Sequence, residues 1–266
     1  MNYSMNLSMM RSGYAMACAC AALLLPAAEH ASARTLAEVK SLGAISMCAN
    51  RDALPYASNK PETPGFQIEI GHAIAESLGV ALNIEWIFPR RRANVVNCDM
   101  LLDNINDPEV NEGRMRLSRA YQKSGLALGL RQDAEAISNF NELKKGQKIG
   151  VMVSSYAGMV LGKAGKSISP YAFQTDMVED LLKGELYGAA VSAATMSYYI
   201  LQHPESGLRL VNAFDGVPQL TWEVAVGLRK SDAALVDAVN EILEKLIADG
   251  TLTRIYAKYG VEHRLP

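Results

Sequence analysis

The sequence has no Gly-x-Ser-x-Gly, no Cys-x-x-Cys and no pair of histidines at metal-ligand spacing. Nucleophilic, thiol-redox and metal chemistry therefore lack their usual residues, and no cofactor or metal is implied. Neither charge is in excess, since 26 basic residues stand against 28 acidic ones for a net charge of −2. Such a balance gives no general attraction to nucleic acid or to anionic membrane. There is also no apolar run of the roughly 20 residues that cross a bilayer. The longest, Tyr14 to Leu25, spans about a dozen residues and is broken by Pro26. Internal repeats and low-complexity stretches are missing as well.

What is present begins with that run. Arg11 precedes it and Ala31-Ser32-Ala33 follows it. A lone positive charge, a short apolar stretch and an Ala-x-Ala tripeptide are the parts of a secretory signal, cleaved after Ala33 so that the mature chain begins at Arg34 in the periplasm. A membrane anchor is the alternative, against which the run is short. A lipoprotein signal would need Cys18 or Cys20 at the cleavage point and a very short apolar region. Cleavage after Ala33 removes one charge of each sign, Arg11 and Glu29, and leaves Cys48 and Cys98. In a compartment that permits disulfides these two are expected to form one bridge, the alternative being two buried free thiols.

The chain of 266 residues, 49% hydrophobic and 20% charged, is ordinary globular material, enough for two modest cores or one large one. Leu42 to Cys48 reads as a buried strand. Phe66, Ile70, Ala73, Ile74 and Leu78 recur at helical spacing, with Gly79 at the expected stop. Val80 to Phe88 alternates as a strand with Leu82, Ile84 and Trp86 on one face, and Met100 to Leu102 reads as the next strand. In a parallel unit the first strand commonly neighbours the third, which brings Cys48 beside Cys98. A second series follows Gly125: strand Leu126 to Leu130, a helical turn at Asn139 to Lys145, strand Ile149 to Val153 and a helix from Ser155. It continues with a helix capped by Thr175, strand Ala189 to Ser192, helix Ala194 to Gln202 and strand Leu208 to Val211. Trp222 to Leu228 reads as one more strand, Ser231 as the cap of an amphipathic helix, and a last short helix ends at Gly260.

Three stretches carry a resemblance. They are Gly65 to Ile70 with Ala73-Ile74-Ala75 and Leu78-Gly79-Val80; Leu143 to Val151; and Val239-Asn240 through Leu246 to Leu252, with Ile255-Tyr256 and Lys258-Tyr259-Gly260. In this order the chain from Leu42 to Glu262 resembles the extracellular solute-binding protein family 3, the periplasmic receptors of amino-acid importers. The resemblance implies an α/β, two-lobed periplasmic binding protein fold of type II. Each lobe is then a mostly parallel sheet flanked by helices, and two crossing strands near Ser124-Gly125 and Trp222-Glu223 join them. Lobe one would hold residues 35–125 plus 223–266, lobe two residues 126–222, with the ligand cleft at the carboxyl ends of the strands.

Family members grip an amino acid through an Arg ahead of the first crossing and an Asp at the end of a lobe-two strand. The matching positions hold Asn111 and Ser192, with Arg114, Arg116 and Arg119 nearby as substitutes after a gap shift. A free amino acid is therefore not the expected ligand. Cys48 to Tyr56, Trp86 to Arg92 and Asn97-Cys98-Asp99 resemble the narrower MxaJ/XoxJ-type branch associated with quinoprotein methanol dehydrogenases. That resemblance implies an accessory of a PQQ-dependent dehydrogenase, with the dehydrogenase or its cytochrome c as partner. The alternatives are a receptor serving an ABC permease for a small polar non-amino-acid solute, and a dehydratase of the cyclohexadienyl type using Asp52, Asp103 or Glu223 as acid.

Residues expected at the cleft are Asp52, Asp103 and Asn104 at strand or turn ends, and Arg90, Arg91 and Arg92 as an anionic site, docking patch or solvated run. Ser154, Ser155 and Tyr156 would offer hydroxyls and a helix N-terminus, or simple capping. Ser192 would stand at the missing anchor. Tyr56, Tyr121 and Trp222 are candidate apolar walls, or core.

Overall fold

The computed structural model describes residues 34–87, 98–107, 115–215, 218–229 and 231–266. Arg90, Arg91, Arg92, Asn111, Arg114 and the expected signal segment lie outside them.

The first half runs α1 (Leu36–Leu42), β1 (Ala44–Ala49), β2 (Asp52–Ala53), β3 (Ala57–Ser58), α2 (Phe66–Leu78), β4 (Ala81–Trp86), β5 (Met100–Ile105) and β6 (Met115–Leu117). Next come β7 (Gln122–Arg131), β8 (Ile149–Met152), α3 (Tyr156–Lys163), β9 (Ile168–Tyr171), α4 (Gln174–Lys183), β10 (Gly188–Ser192), α5 (Ala193–Gln202) and β11 (Leu208–Val211). The chain closes with β12 (Thr221–Arg229), α6 (Ala233–Ala248) and α7 (Thr251–Lys258).

Strand order β4-β1-β5-β12-β7-β10-β8-β9 places two parallel triplets on either side of two antiparallel strands. β1 pairs in parallel with β4 and β5, and β8 with β10 and β9. The joining strands change partners along their length. Gln122 to Gly125 of β7 pair with β12, while Leu126 onward pairs with β10. β12 likewise leaves β7 for β5 at Val224. Gly125 stands at this exchange because a Cβ there would lie 2.3 Å from the Phe214 ring. The result is a two-lobed α/β fold in which each half-sheet carries its own core. Ile45, Met47, Ile70, Ile74, Val226 and Val239 centre the first; Leu128, Leu130, Ile149 and Phe214 centre one face of the second, and Met177, Leu181 and Met196 the other.

Helix α2 follows from its spacing: Phe66, Ile70, Ile74 and Leu78 are all buried, and Gly79 takes the left-handed conformation that ends it. Three local readings need correction. Leu42 ends a helix rather than opening a strand, because Thr35 and Glu38 form a capping box and Gly43 a left-handed stop. The α4 helix starts after Phe173 without a side-chain cap, so Thr175 lies inside it. Asp232, not Ser231, caps α6, its carboxylate accepting from the Leu235 N–H at 2.8 Å. Trp86 keeps the phase of Leu82 and Ile84 but is 39% exposed, since β4 is an edge strand. Strand β9 is absent from the sequence reading; it carries Pro170, which an edge strand tolerates.

Candidate functional site

At the carboxyl end of β1, Cys48 faces Cys98, which leads into β5, because Met47 pairs with Met100. The two are disulfide-bonded with Cα atoms 5.6 Å apart, as the adjacent-strand reading expects. Beside the bridge lies a cavity of about 220 Å³ lined by Ala49, Asn50, Tyr56, Gln67, Leu102 and Asp103, among others.

Asp103 reaches this cavity through a fault in the sheet. Asn104 pairs with Ala225 and Leu101 with Gly227, so two residues of β5, Leu102 and Asp103, oppose the single Val226. This is a β-bulge, and Asp103 has φ +65°, a conformation rare outside glycine. Bulges re-aim side chains next to sites. The ladder's polar groups are satisfied locally: the Val226 N–H donates to Ser118 Oγ, and its carbonyl accepts from the Ser118 N–H, both at 2.9 Å. Asn104, next along, turns the other way. It is buried, and its amide donates to the Leu101 carbonyl at 2.6 Å against the open face of Gly227.

Tyr56 is fixed by the start of α2. The Phe66 and Gln67 N–H groups donate to the Pro55 and Tyr56 carbonyls, both at 2.9 Å. A Cβ on Gly65 would lie 2.5 Å from the Tyr56 oxygen, so only glycine allows that approach. The Tyr56 hydroxyl crosses to lobe two and donates to Ser192 Oγ at 2.8 Å. Ser192 caps α5, accepts from the Thr195 N–H at 3.2 Å and pairs with Thr195 Oγ1 at 2.7 Å. Burial, and then the Asp103 charge, hold the phenols of Tyr56 and Tyr121 well above the ordinary tyrosine range. Burial does the same for Tyr256, helped by Tyr121 and Asp103. Tyr121 is 1% exposed and sits in the lobe-one core rather than on an open wall.

The facing wall is at the carboxyl end of β8, where an open pocket of about 610 Å³ is lined by Val153, Ser154, Ser155, Tyr156, Met159 and Ile168, among others. Ser154 has φ +58°, so each wall carries one non-glycine residue with left-handed backbone. Ser155 is a cap, accepting from the Gly158 N–H at 3.1 Å. The Tyr156 hydroxyl donates to the Gln219 carbonyl at 2.7 Å. The apolar character of this wall, from Val153 and Met159, went unread in the sequence; two apolar residues six apart at a strand end and on a short helix carry no pattern.

Other expected residues lie elsewhere. Asp52 is exposed in the β2–β3 hairpin, and Trp222 packs against the cores of both lobes. Glu223 is exposed and accepts from Asn106 Nδ2 at 3.2 Å. Arg116 is exposed on β6 and Arg119 pairs with Glu244 of α6, so neither replaces the missing anchor on a cavity wall.

Two walls at the carboxyl ends of parallel triplets, joined by strands that exchange partners, are the geometry of a ligand-enclosing cleft. Comparison with known proteins agrees. The chain is 25% identical over 264 residues to a probable histidine-binding protein of Neisseria gonorrhoeae, covering 94% of this chain and 96% of the relative. It is 25% identical over 219 residues to the lysine/arginine/ornithine-binding periplasmic protein of Escherichia coli K12, covering 77% and 83%. The unliganded, open L-cystine solute receptor of N. gonorrhoeae superposes with a TM-score of 0.72 at 18% identity, over 86% of this chain and 98% of that one. Among the described residues no helix is long and apolar enough to cross a membrane. The family model of the bacterial extracellular solute-binding proteins, family 3, spans residues 45–262, nearly all of both lobes, and the chain belongs to that family.

Proposed function

We propose that the chain is the periplasmic substrate-binding receptor of an ABC importer, closing its two lobes, residues 35–125 with 223–266 and residues 126–222, over an amino acid or a related amine. The observation that carries this is the pair of opposed cavities at the strand ends, one holding Asp103 and the other Val153 and Met159. The amino-acid specificity in the relatives' names supports a nitrogenous solute. It weighs against two sequence-based expectations, exclusion of amino acids and service to a quinoprotein dehydrogenase. Loss of the Arg and Asp anchors then means a rebuilt seat rather than an abandoned one.

The signal is cleaved after Ala33, and the mature chain keeps Arg34 for its ion pair with Asp99. A dehydratase role has little to draw on: Asp103 lines a cavity wall, while Asp52 and Glu223 are exposed.

A thermal-shift panel of the standard amino acids and simple amines tests the receptor role. A ligand at a thousandfold its dissociation constant stabilises by roughly 4 kcal/mol, a large shift. At least one compound is expected to give it. No shift from any member at millimolar concentration overturns the reading.

A further inference from the structure

Two strands cross between the lobes, and the C-terminal tail crosses beside them. Helix α7 gives way to Gly260, where a Cβ would lie 3.1 Å from the Ser197 carbonyl and from Leu201 Cβ of α5. The tail then runs along β7. The Gln122 side chain holds it at two points, donating from Nε2 to the Glu262 carbonyl at 3.1 Å and accepting at Oε1 from the Arg264 N–H at 3.0 Å. The Lys123 N–H donates to the Arg264 carbonyl at 2.7 Å. His263 Nε2 donates to the Tyr121 carbonyl at 2.9 Å, since a carbonyl only accepts, and its ring stacks on Tyr256. Val261 is buried in the lobe-one core. Residues 261–263 and the Arg264 backbone are therefore fixed to lobe one.

The Arg264 side chain goes the other way. It reaches Asp215 Oδ2 at 3.0 Å and lies 5.2 Å from the centre of the Phe214 ring, both in the lobe-two segment between β11 and β12. Phe214 is fully buried where β7 changes partners: a Cβ on Gly125 would lie 2.3 Å from its ring, and its carbonyl accepts from the Thr221 hydroxyl at 2.9 Å. Arg264 thus grips the segment that leads into the second crossing strand. A rotation of lobe two about Gly125 and Val224 carries Phe214 and Asp215 with it and leaves the rest of the tail behind. The grip is releasable. The Asp215 side chain is 47% exposed, a single guanidinium nitrogen meets it, and Arg264 Nη1 is buried with no hydrogen-bond partner among the described residues. A bidentate pair would hold harder.

We infer that the tail is a strap across the hinge, in which the Arg264–Asp215 pair holds the lobes in their present arrangement and its release lets them turn. The device belongs to the chain alone and needs no ligand. On the receptor reading it biases the cleft, because a ligand that fits this arrangement binds more weakly as the strapped fraction falls. A half-exposed ion pair together with a cation over a ring shifts a two-state balance by about tenfold.

Pulsed electron double resonance on the mature protein tests this, with nitroxides on Ser77→Cys of α2 and Ser167→Cys before β9, exposed serines in opposite lobes. Cys48 and Cys98 are bonded to each other and take no label. One interlobe distance is expected to dominate in the otherwise unaltered protein. Arg264→Ala and Asp215→Asn should each raise the ratio of a second distance to the first by about tenfold, with circular dichroism unchanged. Because both cut one link, the doubly substituted protein should show no larger ratio than either alone. An unchanged distribution in Asp215→Asn, an exposed position whose substitution spares the fold, overturns the inference. So does a double variant whose ratio is the product of the two single effects. If the distances respond while no compound of the earlier panel stabilises the protein, the strap stands and the receptor reading falls. If a compound stabilises it while the distances do not respond, the strap falls and the receptor stands.

Discussion

Asp99 and Asp103 lie four positions apart and look alike in sequence, yet their surroundings give them different work. Asp99 is 5% exposed and accepts from the Ser46 N–H and the Ser46 hydroxyl, each at 2.8 Å, and from Arg34 at 3.0 Å. These bonds tie the start of β5 to β1. Truncating one partner of such a buried network leaves the other groups desolvated and unmatched. Asp99→Ala is therefore expected to cost about 3 kcal/mol in urea unfolding followed by circular dichroism. Arg34→Ala should cost less than about 1 kcal/mol, because its side chain is 37% exposed and water replaces the bond. Equal losses would mean that the guanidinium, not the backbone and hydroxyl bonds, anchors Asp99.

At the scale of elements, the Cys48–Cys98 bridge ties β1 to the start of β5 beside the cavity that holds Asp103. The cysteines are 50 residues apart, and closing such a loop is worth roughly 4 kcal/mol in the chain-entropy model. A Cys48→Ser/Cys98→Ser protein should lose up to about that much, read as a lower urea midpoint with an equal or steeper slope, because the unbridged unfolded chain is less compact. A midpoint within error of the unaltered protein would show that strand pairing alone sets this stability. The bridge was legible because it needs only strand order, and that order follows from the strand-helix-strand pattern around α2. Periodicity also placed α5 and α6, whereas the two crossing strands were implied by the family resemblance. Thr35 and Glu38 spell a capping box, but the apolar run beginning at Leu42 masked it. The bulge at Asp103 was beyond the sequence, because it exists only relative to Val226, more than a hundred positions away in β12. Nor does local pattern show that Ser192 is spent on Tyr56, a contact between lobes across 136 positions.

For the molecule as a whole, the seam between the lobes carries the Tyr56–Ser192 bond and a C-terminal tail, with the buried phenols of the lobe-one core beside it. The Arg264 carbonyl accepts from the Lys123 N–H at 2.7 Å, and the Arg264 side chain reaches Asp215 at 3.0 Å while lying over Phe214. Alongside, Tyr56, Tyr121 and Tyr256 surround Asp103, and burial holds all three neutral well above the ordinary range. Unfolded phenols ionise near pH 10. Below that pH both states carry the proton and these groups contribute their full stability. Above it the unfolded chain releases protons that the folded chain keeps, so stability declines as pH rises toward the folded-state values, by about 1.4 kcal/mol per pH unit for each phenol. Alkaline unfolding should therefore be cooperative, with these three phenolates appearing in ultraviolet absorbance together with the loss of far-ultraviolet circular dichroism. A ligand that binds only the folded protein should move that transition to higher pH. Stepwise ionisation of all the tyrosines while the dichroism stays native would show that the seam opens to water without unfolding, and that the lobes part at Tyr56 and Ser192.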